Sequence, residues 1–225
     1  MKGFKKTILA STALLFVFGL SVQNAAAVPM LKLSDGTTTI TIADGDALDE
    51  SDVAGIVSAQ GSLGVFMFDL AVGTTKPAIG SASDPQMHIT QLLVTSNAAG
   101  TFTIEFTETD FSALAPVAFN SFLGGSGAGT RTFTTYFDAA NGEFAKTTPL
   151  ADLGPVGASV GLSASSSLLG PDTAFSLTAV AVITHTGDGG ATSLDANINA
   201  VPEPGTMLLM GSGLLGLGLW RKLKK

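Results

Sequence analysis

The sequence predicts an all-β fold: a single antiparallel β-sandwich, with the jelly roll as a candidate topology, flanked by an N-terminal signal peptide and a C-terminal transmembrane helix. Three observations carry the prediction. Glycine is abundant, at 27 of 225 residues, and Thr and Ser recur in alternation with apolar side chains, as in strands and turns rather than helices. Turn signals with defined backbone chemistry recur at Asp35-Gly36, Asn97 to Gly100, Asn141-Gly142 and Gly187-Asp188-Gly189-Gly190. Finally, Thr101-Phe102-Thr103-Ile104-Glu105-Phe106-Thr107 places three apolar side chains on one face and polar ones on the other, the period-two pattern of a half-buried strand.

Further strands are predicted near 37–43, 64–72, 88–96, 130–138, 173–186 and 191–199. Asp35-Gly36 is read as a two-residue hairpin turn between MLKLS and TTTITI. Residues 173–186 are apolar on both faces, with Phe175, Leu177 and Ile183 opposed by Val180 and Val182, which marks a central strand. A β-helix is the rival architecture, but it needs a fixed repeat that 28–200 lacks. One window, Asp46 to Ala59, has Val53, Ile56 and Val57 at helical spacing after Ser51 as a cap; Gly55 interrupts it, and helix, strand and loop all stay open there. The run SFLGGSGAGT at 121–130 is glycine-rich but lacks the Gly-Lys-Ser/Thr ending of a phosphate loop, so it is read as a flexible hairpin loop.

Charge is unevenly distributed. Of 11 basic residues, only Lys32, Lys76, Arg131 and Lys146 lie between the two ends, against 17 acidic residues from Asp35 to Asp195, a balance of −13 for the middle of the chain. Such a surface repels phosphate backbones, which argues against nucleic acid as a partner, and it concentrates divalent cations. The chain has no cysteine, so thiol nucleophiles, thiolate zinc sites and disulfides are excluded.

Both ends read as addresses. In residues 1–27 three lysines precede an apolar stretch from Ile8 to Leu20, and Ala25 and Ala27 form an A-x-A site with cleavage expected before Val28. The opposite end, VPEPGTMLLMGSGLLGLGLWRKLKK, holds 17 uncharged residues from Pro204 to Trp220. As a helix these span about 25 Å, enough to cross a slightly thinned bilayer. Trp220 sits at an interfacial position, and Arg221, Lys222, Lys224 and Lys225 form a membrane-stop cluster that the positive-inside rule keeps cytoplasmic. The expected organisation is 1–27 signal peptide, 28–200 sandwich domain and 201–225 sorting segment.

Val201-Pro202-Glu203-Pro204, a Gly/Leu-rich apolar segment and a terminal basic cluster, in that order, resemble the PEP-CTERM sorting signal of Gram-negative bacteria. The resemblance implies signal peptidase and an exosortase as partners. It implies transient residence in the inner membrane, then delivery to the cell surface or the extracellular polysaccharide matrix, where a role in biofilm is expected. Pro202, Glu203 and Pro204 are the sorting residues it implies. Physically, each proline fixes its own φ and pushes the preceding residue toward extended geometry, so Glu203 is presented on extended backbone. The stretches LSDGTTTITIADGD, TITHTGDGG and SLDANINAVPEP also look like those of an uncharacterised group of PEP-CTERM proteins.

For chemistry in the domain itself, Asp44, Asp46, Asp49, Glu50 and Asp52 place five carboxylates within nine residues. Asp44, Asp46 and Asp49 are candidate Ca²⁺ ligands, but the spacing misses the EF-hand pattern, and a solvated acidic loop is the preferred reading. The two histidines, His88 and His185, lack companion ligands; His185 continues the alternation of Phe175, Leu177 and Ile183 and is expected beside the core at a strand end. No G-x-S-x-G occurs, and no catalytic residue is assigned. The sequence is therefore read as a non-enzymatic, exported surface or matrix protein without a cofactor. A Ca²⁺-assisted glycan-binding module is the alternative, and a hydrolase stands third.

Overall fold

The computed structural model describes residues 27–112, 116–171, 173–187 and 189–201. The expected signal peptide up to residue 26, the Pro202-Glu203-Pro204 motif, the transmembrane segment and the basic cluster lie outside the described residues.

Twelve strands follow one another: β1 (Met30–Ser34), β2 (Thr39–Ala43), β3 (Ile56–Leu63), β4 (Phe66–Thr74), β5 (Gln86–Ser96), β6 (Gly100–Phe111), β7 (Ala118–Gly127), β8 (Thr130–Asp138), β9 (Thr148–Val156), β10 (Val160–Ser165), β11 (Phe175–His185) and β12 (Gly190–Val201). No helix occurs among the described residues. The strands form two six-stranded sheets, ordered β2-β1-β6-β11-β8-β9 and β10-β7-β12-β5-β4-β3, and every pairing is antiparallel. From β5 onward, pairs of consecutive strands face each other across the sandwich, and the orders 5-12-7-10 and 6-11-8-9 are the winding of a jelly roll. The β1–β2 and β3–β4 hairpins extend one side of each sheet.

Period-two alternation explains the core. Phe102, Ile104 and Phe106 of β6 point inward and are fully buried, as are Phe133 of β8 and Leu177, Ala181 and Ile183 of β11. Aromatic rings bridge the sheets: Phe102 lies 5.4 Å from both Phe66 and Phe68, and Phe175 lies 6.2 Å from Phe119 in an edge-on contact. The expected centrality of 173–186 holds, because β11 sits between β6 and β8 and is buried on both faces over most of its length. Its outer face is covered by the segment after β8, where Gly142 O accepts a bond from Ser176 Oγ at 2.7 Å and Phe144 N donates to Thr107 Oγ1 at 3.1 Å.

Two expectations need correction, and one open window is decided. Asp35-Gly36 is not a two-residue turn: Ser34 pairs with Thr39, leaving the four-residue loop Asp35–Thr38. Asp35 Oδ1 accepts from the backbone N–H of Thr37 at 2.8 Å and Thr38 at 2.6 Å, which folds the loop around its carboxylate. The 46–59 window is turn and loop up to Gly55, and β3 begins at Ile56. The glycine-rich 121–130 run is not a loop: most of it lies in β7, paired with β12 on one side and β10 on the other. Gly125 (φ +133°) and Gly127 (φ +142°) adopt backbone that favours glycine, and a Cβ there would fall 2.2 Å from Ser193 O and 2.3 Å from Ala191 O. The glycines admit a close neighbour strand.

Gly73 of β4 meets the opposite sheet in the same way: a Cβ there would lie 2.5 Å from the Phe106 ring. We expect Gly73→Ala to lower unfolding free energy by about 1–3 kcal/mol through overpacking. Gly170→Ala, at a site with open space, should stay within about 0.5 kcal/mol of the parent. Denaturant midpoints of the two variants check this, and equal midpoints would refute the close sheet contact.

Candidate functional site

Strand direction sorts the polar groups between the two ends of the sandwich. Met30 pairs with Thr107 near the end of β6, and Val201 pairs with Ala118 at the start of β7, so both ends of the described chain leave from one end of the sandwich. The acidic loop after β2 shares that end, whereas His185 and Arg131 lie at the other.

Ala27 is half-buried and Val28 exposed, just ahead of β1; Ala25 lies outside the described residues. Each candidate calcium ligand already accepts backbone N–H groups. Asp44 Oδ2 takes Gly55 N at 2.7 Å, Asp46 Oδ2 takes Ala43 N at 2.9 Å, and Asp49 Oδ1 takes Ser51 N at 3.0 Å and Ser58 N at 2.9 Å. The carboxylates brace the loop against β3. Among the described residues no group of three or more His, Asp or Glu side chains is arranged to hold a metal ion.

At the same end, Glu108 is fully buried in β6, and Lys76, from the β4–β5 connection, reaches it at 3.0 Å. Lys76 Nζ also donates to Thr109 O at 2.6 Å and stands 4.6 Å from the centre of the Phe111 ring. Burial pushes the Glu108 carboxyl above its ordinary range, and the Lys76 charge works against that rise. Glu108 Oε2 has no partner among the described residues.

At the far end His185 is buried, with Nδ1 at 2.7 Å from Ser96 Oγ and Nε2 at 2.8 Å from Thr192 Oγ1. Thr192 Oγ1–H donates to Ala128 O at 2.7 Å, which leaves Oγ1 as the acceptor for an Nε2–H tautomer and Ser96 Oγ–H as donor to Nδ1. The expectation of a strand-end histidine beside the core holds. Close by, Arg131 is fully buried on β8 and donates Nη2 to Ala158 O, while its Nε and Nη1 find no partner among the described residues. Burial first, and the Arg131 charge second, hold the His185 imidazole below its ordinary pKa. His88 stands apart on β5, half-buried, 3.3 Å from Asn199 Oδ1 of β12. The two histidines do not converge.

Sequence reasoning missed the Lys76–Glu108 pair and the buried Arg131, although strand parity contains a signal for both. Glu108 follows Phe102, Ile104 and Phe106 at even positions, and Arg131 shares odd parity with Phe133 and Phe137. A separate shallow groove lies on the β3–β4–β5 surface, where Gln60, Ser62, Asp69 and Thr95 surround exposed Met67 and Leu93.

Two outcomes follow from the buried groups. Lys76→Met strands the Glu108 carboxylate and should cost about 3–5 kcal/mol at neutral pH, most of it recovered in Lys76→Met/Glu108→Gln, as read by denaturant unfolding. Because the folded pKa of His185 is depressed, its contribution is complete above the unfolded value of about 6.5 and is lost as pH falls through the lower folded value. The stability difference between wild type and His185→Gln should therefore shrink from pH 7.5 toward pH 5; a pH-independent difference refutes it.

No curated protein sequence matches the chain. Among solved structures, the enzymatically active domain of tailspike protein 4 from bacteriophage CBA120 is similar at 12% identity and a TM-score of 0.35, covering 63% of this chain and 19% of that one. A chain of infectious bursal disease virus, Gx strain, is similar at 11% identity and a TM-score of 0.30, covering 89% of this chain and 55% of that one. The chain thus spans about a fifth of the first and about half of the second. Residues 200–222 match the family described as the PEP-CTERM protein-sorting motif. The chain carries a PEP-CTERM sorting motif joined directly to the end of β12, and it is accordingly an exported protein that an exosortase processes at the membrane.

Proposed function

We propose that this is a non-enzymatic structural protein of the cell surface or extracellular matrix, contributing to biofilm or envelope organisation once its signal peptide and sorting tail are removed. The observation that carries this reading is the sorting motif placed immediately after a closed, two-sheet domain. The charge layout supports it. Lys32 and Lys146 bracket Glu105 at 3.6 and 2.9 Å, Lys76 is committed to Glu108, and Arg131 is buried. The four basic residues of the domain are thus spent internally, and the remaining described carboxylates have no cationic partner. Such a surface keeps copies soluble and apart, and it meets polyanions only through bridging divalent cations.

The alternative of a Ca²⁺-assisted glycan-binding module draws its support from the mixed groove on β3–β5, whose exposed Met67 and Leu93 lie among amide, hydroxyl and carboxylate groups. Glycan-array binding with and without Ca²⁺ separates the two readings.

Signal-peptide removal and cleavage near Glu203 discard the only Trp and seven of the eleven basic residues. The mature surface form should therefore lack indole fluorescence and run as a strongly acidic species. Replacing Pro202, Glu203 and Pro204 by alanine should trap a form retaining Trp220 in the inner membrane, because the apolar segment and basic cluster still stop transfer. Wild-type protein recovered from the surface with Trp220 in place would overturn the sorting assignment.

A further inference from the structure

The match to the sorting family begins at Ala200, but β12 runs through Val201, so two residues belong both to the motif and to a central strand. Both are held. Ala200 pairs with Phe119 of β7 and donates its N–H to Pro85 O at 2.9 Å, and Val201 pairs with Ala118. Just upstream, Asn199 is hydrogen-bonded through Oδ1 to His88 of β5 at 3.3 Å and through Nδ2 to Asn197 Oδ1 at 2.8 Å. This side-chain brace ties the strand end to β5. Pro202 follows at once, and with no N–H it cannot extend the ladder. No spacer separates the folded domain from the motif.

A protease that takes an extended segment needs its backbone edges free, because the enzyme's own groove supplies the pairing partners. In β12 the flanking edges belong to β5 and β7. From this competition we propose that the sandwich gates its own sorting: the exosortase gains full access to the motif only when the last residues of β12, Asn199 to Val201, peel from β5 and β7. The proposal rests on the reading of the chain as an exosortase substrate. Strand ends are the lowest-stability parts of a sheet, so a partial opening of this kind needs no global unfolding. Folding of the domain and removal of its tail then become linked, since whatever tightens the strand end slows release.

The test follows maturation of the full-length chain by pulse-chase in cells that carry the exosortase, with circular dichroism confirming that each variant keeps its β structure. Inserting Gly-Ser-Gly-Ser-Gly-Ser between Val201 and Pro202 should speed loss of the precursor several-fold, because the motif becomes available with β12 fully paired. Asn199→Ala, which removes the brace without lengthening the chain, should also speed it. Maturation of the insertion variant at the wild-type rate overturns the proposal, and acceleration by the insertion without any by Asn199→Ala overturns the peeling step. The two readings fail differently: a wild-type chain that is never cleaved sinks the sorting assignment, whereas a chain cleaved at a rate indifferent to both changes sinks the gate alone.

Discussion

Each sheet is held together at its centre by one of the last two strands. β11 joins β6 to β8, and β12 joins β5 to β7. Without them, one sheet falls into β2-β1-β6 and β8-β9, and the other into β10-β7 and β5-β4-β3. The aromatic core shows the same dependence, because Phe175 of β11 stands 5.8 Å from Phe111, 6.2 Å from Phe119 and 4.9 Å from Phe137, linking β6, β7 and β8 through one ring. The contacts that close the domain are therefore long-range and late in the chain, which places it among the slowly folding topologies.

Electrostatics follow from the scarcity of cations. With four basic residues in the domain, every one is tied to an internal task. Glu105 is shared by Lys32 and Lys146, and Lys32 also lies 3.6 Å from the centre of the Phe144 ring, pinning the segment that covers β11. The Lys76–Glu108 pair fastens the β4–β5 connection to the opposite sheet at the end where the chain exits. Arg131 and His185 close the other end, where burial and then the guanidinium charge both disfavour the imidazolium form of His185. Asp44, Asp46 and Asp49, between β2 and β3, accept backbone N–H groups and so brace their own loop.

Alternation of apolar and polar residues was enough to locate β6, β8 and β11, because inward and outward positions differ in chemistry along those strands. The two-faced apolar pattern of 173–186 identified a central strand for the same reason. The acidic character, the absence of thiol chemistry and the C-terminal sorting motif were also legible in the chain, since each depends on residue type and local order alone. Tertiary structure decided the rest. Nothing local distinguishes Ser121 to Gly127 from a flexible loop; the glycines become a strand because β12 passes within a Cβ's reach of them. The backbone N–H groups that Asp44 and Asp49 accept, from Gly55 and Ser58, are brought to them by the fold and not by the spacing of the carboxylates. The pairing of Lys76 with Glu108, across 32 residues, and the approach of Arg131 to His185 depend on which strands become neighbours, and that is set by long-range packing rather than by local pattern.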